Sequence, residues 1–90
     1  MRIRKQRLAQ EKAENPKLYD IERKVELEQG ARMIMLRKKA GITQKDLGLA
    51  LGISQSEISK YEAGQRSFDI QFIESVSAAL KISPQEFIGL

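Results

Sequence analysis

The chain is 90 residues long, enough for one small domain and one further element, and too short to wall a large catalytic cleft. It contains no Cys and no His, which excludes disulfides, thiolate and imidazole metal sites, zinc chemistry and His-based catalytic triads. Its formal charge of +4, from 16 Lys and Arg against 12 Asp and Glu, suits a polyanionic partner and argues for attraction, not for a fold.

Residues 1–12 are polar and carry Arg2, Arg4, Lys5, Arg7 and Lys12 against Glu11, so they read as a basic arm without apolar periodicity. They lack the hydrophobic stretch of a secretory signal, and no apolar run reaches the roughly 20 residues of a membrane span; a cytoplasmic protein is expected. Asn15-Pro16 has the form of a helix start, and Leu18, Ile21 and Val25 follow at helical spacing, which predicts a helix from Pro16 to about Gln29. Gly30 either breaks this helix or only weakens it, since one glycine costs about 1 kcal/mol against alanine in a helix interior. Residues 1–29 are thus a tail and N-terminal helix, and residues 30–90 a separate domain.

In that domain Met33 and Leu36 share a face, and Arg37, Lys38 and Lys39 form a last turn before Gly41. Thr43 with Asp46, and Ser54 with Glu57, are capping-box patterns that open a second and a third helix. Gly64 ends the third, Asp69 caps a fourth running to Leu80, and Ser83-Pro84-Gln85-Glu86 starts a short fifth. No stretch alternates with period two, so the fold class is all-α. Ile70, Ile73, Val76, Leu80, Ile82 and Phe87 are expected in the core, with Ile88 and Leu90 at its margin or in a dimer contact. A domain this small buries only about 60% of its unfolded surface, so the N-terminal helix or a second subunit is expected to support it.

The informative stretch is residues 43–64, TQKDLGLALGISQSEISKYEAG. Leu47 and Leu51 form one apolar edge, Gly52 suits a left-handed stop, and Ile53 tucks into the turn, so two short helices meet at a steep angle. At 100° per residue, Glu57, Ile58 and Tyr61 lie on one side of the third helix. Gln55, Ser56, Ser59, Lys60 and Ala63 lie on the other, a polar and mostly uncharged face suited to base edges in the major groove. Solvated helices also show polar residues outward, and the register of the whole stretch is what separates the two readings.

That register resembles the Cro/C1-type (XRE-like) helix-turn-helix family of phage repressors and bacterial regulators. Gly30, Met33, Leu36, Arg37, Gly41, Thr43-Gln44, Leu47, Gly52, Ser54-Gln55, Ile58, Glu62, Gly64 and Leu80 carry the resemblance. It implies a five-helix, lambda-repressor-like DNA-binding domain with an additional N-terminal helix. It further implies that Gln55, Ser56, Ser59 and Lys60 face bases. Gln44 would anchor a phosphate and brace Gln55, with Lys45, Gln65, Arg66 and Ser67 as further phosphate contacts. Arg37 and Glu62 match a pair that ties the first helix to the third. Gly48 departs from the pattern, which prefers alanine there.

The expected function is a sequence-specific regulator of transcription, a repressor binding double-stranded DNA as a homodimer on a palindromic operator, with no cofactor and no metal. The alternative is an antitoxin that masks a toxin protein and regulates its own operon; it rests on the layout of residues 1–29. An enzyme is disfavoured, because the carboxylates form no acid-base or metal cluster in the sequence and the glycines no phosphate loop.

Overall fold

A computed structural model describes residues 16–89, with side chains from residue 21 onward. The basic arm, the Asn15 cap and Leu90 lie outside the described residues. Five helices follow in order: α1 (Pro16–Lys39), α2 (Gln44–Leu51), α3 (Gln55–Glu62), α4 (Ile70–Leu80) and α5 (Pro84–Ile88). The all-α expectation holds, but the N-terminal helix is not a separate element: it runs through Gly30 and becomes the first helix of the domain.

Gly30 is buried in the middle of α1, and the reason lies across the fold. A Cβ there would stand 2.6 Å from the Tyr61 carbonyl oxygen and 2.7 Å from that of Glu62. The bare backbone of α1 therefore rests directly on the C-terminal end of α3. Neighbouring helix formers carry the weak position, and close packing offsets its propensity cost. Gly48 solves the same problem in α2, since a Cβ there would meet the Ile53 carbonyl oxygen at 2.7 Å. The departure from alanine is what lets the turn fold back this tightly.

The boundaries are set by side chains. Thr43 and Asp46 form a complete capping box, with the Asp46 N–H donating to Thr43 Oγ1 (3.0 Å) and the Thr43 N–H donating to Asp46 Oδ2 (3.3 Å). At α3 only half of the box forms: Ser54 Oγ accepts from the Glu57 N–H at 3.1 Å, while the Glu57 carboxylate turns to Arg66. Asp69 and Ser83 cap α4 and α5. Gly52 ends α2 with φ +71°.

Every helix contributes to one core: Met33, Leu47, Ile58, Ile73, Val76, Leu80 and Phe87, all nearly inaccessible to solvent. Tyr61 stacks on Phe72 at 3.8 Å between ring centroids, and Phe68 meets both rings edge-on, which seals α3 against α4. Ile70 is not core as expected but 73% exposed. It is the first residue of α4, one turn beyond the buried row Ile73, Val76, Ser77 and Leu80, where the Phe68 and Phe72 rings already close that end. Ser77, passed over by a hydrophobic count, is buried in that row, and Ile82 is partly buried against the core.

Gly30→Ala separates propensity from packing. Propensity alone would add about 1 kcal/mol of stability; the clash with two carbonyl oxygens should instead cost about 1 to 3 kcal/mol. Urea unfolding decides between them, and a stabilised variant would contradict the close approach.

Candidate nucleic-acid interface

The turn at Gly52–Ser54 places α3 across α2 with its Gln55, Ser56 and Ser59 side outward and exposed, while Ile58 is buried beneath. Glu62, at the last turn of α3, is buried with Arg37 from α1. Arg37 Nε donates to Glu62 Oε2 (2.6 Å), Nη2 to Oε1 (3.3 Å) and Nη1 to the Ile42 carbonyl (2.9 Å). The guanidinium fork is thereby satisfied on three nitrogens, which the desolvation of a buried pair requires.

Gln44 extends this pair toward the surface. Its Nε2 donates to Glu62 Oε1 at 2.8 Å, and a carboxylate can only accept, so the amide oxygen of Gln44 must face the other way. There it accepts from Gln55 Nε2 at 3.5 Å, a long contact at the geometric limit. A chain of polar contacts thus runs from buried Arg37 through Glu62 and Gln44 to exposed Gln55. Gln44 is also the first residue of α2, where backbone N–H groups lack intrahelical acceptors and favour an anion. Lys45, beside it, is exposed.

The loop after α3 is less open than the sequence suggested. Arg66 donates through Nε and Nη2 to the two Glu57 oxygens, each at 3.3 Å, and Lys60 Nζ lies 3.6 Å from Glu57 Oε1. Both cations therefore flank one carboxylate at the edge of the outward row of Gln55, Ser56 and Ser59. Gln65 is exposed. The Ser67 hydroxyl donates to Glu26 Oε1 at 3.0 Å, which commits its one proton inside the chain. The sequence marks Glu57 as a capping-box residue of α3 and not as a partner of Arg66, and it gives Glu26 no role. The Glu57–Lys60 spacing was a legible signal, whereas the Glu26 contact spans 41 residues and left none.

The Arg66 hydrogen bonds hold the Glu57 carboxyl below its ordinary range against a desolvation that opposes them, and the charges of Arg66 and Lys60 assist. The Tyr61 phenol is pushed up, first by burial and then by the nearby Asp69 and Glu57 charges. Among the described residues no cluster of carboxylates could hold a metal, and no helix is long and apolar enough to cross a membrane.

Two short helices joined by a glycine turn, an outward polar row on the second, and a buried ion pair behind them define a helix-turn-helix DNA-binding module. Residues 33–87 match the helix-turn-helix family, and the chain belongs to it, in its Cro/C1-type (XRE-like) branch. The fold is similar to that of the restriction-modification controller protein C.AhdI from Aeromonas hydrophila, with TM-score 0.64 and 31% sequence identity over 68% of this chain and 88% of that one. No curated protein sequence matches the chain. Family and neighbour together make this a DNA-binding protein of the transcription-regulator type.

The Glu57 ion pairs can be read directly. With a depressed folded-state pKa, Glu57 contributes stability above its unfolded pKa that is lost as pH falls through the folded one. Arg66→Ala should raise the Glu57 titration midpoint toward the ordinary carboxylate range in a carbon-detected NMR titration; an unchanged midpoint would contradict the Arg66 contact.

Proposed function

We propose that the protein is a sequence-specific regulator of transcription, a repressor that binds a palindromic operator in double-stranded DNA as a homodimer. The observation that carries this is the braced Gln55. Its amide nitrogen lies 3.5 Å from the amide oxygen of Gln44, which Glu62 holds in turn, at the head of an uncharged row with Ser56 and Ser59. Amides and hydroxyls there pair with base edges, with Lys60 at the end of the same base-facing set, while Arg66, Lys45 and the N-terminus of α2 around Gln44 attract the phosphates on either side.

An eight-residue recognition helix spans only about 12 Å. One such helix reads few base pairs, and two-fold pairing of half-sites roughly 34 Å apart is the usual remedy. The exposed side chains of Ile21, Val25 and Ile88, together with Phe87, line adjoining grooves beside α1 and support a second copy on that side. Similarity to a controller protein supports regulation as the purpose of DNA binding. The antitoxin alternative drew on the segment before Gly30, and residues of that segment hold the DNA domain of their own chain.

Binding sites selected from a random duplex pool provide the test. Gln55→Ala and Ser56→Ala should each lower discrimination between the selected site and a mixed-sequence duplex by about 1 to 3 kcal/mol. Arg66→Ala should weaken both duplexes alike and lower the salt slope by about 1. Unchanged discrimination in the Gln55 and Ser56 variants would rule out base reading by α3.

A further inference from the structure

The connection between α3 and α4, residues 63–69, has no regular structure, yet it is tied down on two sides. From α3, the Lys60 carbonyl accepts from the Gln65 N–H (2.9 Å) and Glu57 holds Arg66. From the other side comes α1, ahead of the segment that matches the family. Arg23 Nη1 donates to the Gly64 carbonyl, and Glu26 accepts from the Ser67 hydroxyl. Leu27 lies so close that a Cβ on Gly64 would stand 2.8 Å from its Cδ2 and 3.0 Å from its Cα. Residues 23, 26 and 27 share one helix face by their spacing.

We propose that Arg23 and Glu26 are positioning residues for the phosphate-binding loop, so that DNA affinity depends on the part of α1 outside the helix-turn-helix. The inference rests on the reading of Arg66 as a phosphate contact. Two physical effects converge on Arg23. The Gly64 carbonyl lies in the connection just past α3, beyond the helix's own hydrogen-bond ladder, and the guanidinium supplies it with a donor. Arg23 also stands 3.8 Å from Glu26 and offsets a carboxylate that otherwise faces the loop uncompensated and repels phosphate. Glu26 in turn fixes Ser67, the residue after Arg66. Without this clamp the loop samples more conformations, and ordering it becomes part of the cost of binding DNA.

The test uses the full chain and a short mixed-sequence duplex, titrated by fluorescence anisotropy over a salt series, with hydrogen exchange of the residue 65–68 amides. Arg23→Met keeps the aliphatic stem at a partly exposed site and removes the donor. It should weaken binding about three- to tenfold, the equivalent of one lost hydrogen bond, with faster loop exchange and an unchanged salt slope. Arg23→Lys, which can still donate to one carbonyl, should recover most of both. Glu26→Gln keeps an acceptor for Ser67 and should leave loop exchange as it is, whereas Glu26→Ala should accelerate it. Wild-type affinity and exchange in Arg23→Met, with Arg66→Ala still weakened, would overturn this inference alone. A slope reduced in Arg23→Met as in Arg66→Ala would make Arg23 a phosphate contact and equally overturn a positioning role. If Arg66→Ala binds like the wild type, the underlying reading of the loop fails instead.

Discussion

The buried ion pair between Arg37 and Glu62 is the constraint on which the rest of the structure depends. A charge pair with about a tenth or less of either side chain exposed survives only if its remaining hydrogen-bonding capacity is met. The groups that meet it are the Ile42 carbonyl, in the link between α1 and α2, and the side chain of Gln44, at the start of α2. The pair therefore joins the C-terminal part of α1, the C-terminal end of α3 and the N-terminal end of α2 at one point. Through Gln44 this network reaches the exposed Gln55 at the head of α3, so a surface amide is linked to the interior of the protein.

Such a junction demands close approach of backbones, and two glycines supply it. At Gly30 the chain gives up helix propensity so that α1 can lie on the last turn of α3, beside the Glu62 whose carboxylate Arg37 must reach. At Gly48 it does so again, allowing the turn to fold onto α2. Neither position has a positive φ, so the requirement is space and not backbone conformation. Local preference yields to tertiary packing at the places where the interface is aimed.

What was legible in the sequence follows from the same physics. Caps at Thr43, Ser54, Asp69 and Ser83 are local chemistry, and each marks a helix start in the structure. The Arg37–Glu62 pair was legible only through family resemblance, because 25 residues separate its partners. Continuity of α1 through Gly30 was undecidable from propensity, since the deciding contacts come from Tyr61 and Glu62. Ile70 had the right residue type and spacing for the core but sits one turn past its edge. The clamp on the α3–α4 loop by Arg23 and Glu26 left no periodic or motif signal at all, being a meeting of two charged side chains with a backbone carbonyl and a hydroxyl 41 positions away.

The fold thus turns outward a row of uncharged polar groups, Gln55, Ser56 and Ser59, whose first member is linked through Gln44 to a buried charge pair, and a loop after α3 held from both flanks. The central claim is that Gln44 transmits the interior geometry to Gln55. A double-mutant cycle of Gln44→Ala and Gln55→Ala, read as the affinity ratio between a selected site and a mixed-sequence duplex, tests it most directly. If Gln44 acts through Gln55, Gln44→Ala lowers the ratio by itself and the double variant is no worse than Gln55→Ala alone. Strictly additive losses would contradict the account, because they would mean that the two glutamines touch DNA independently.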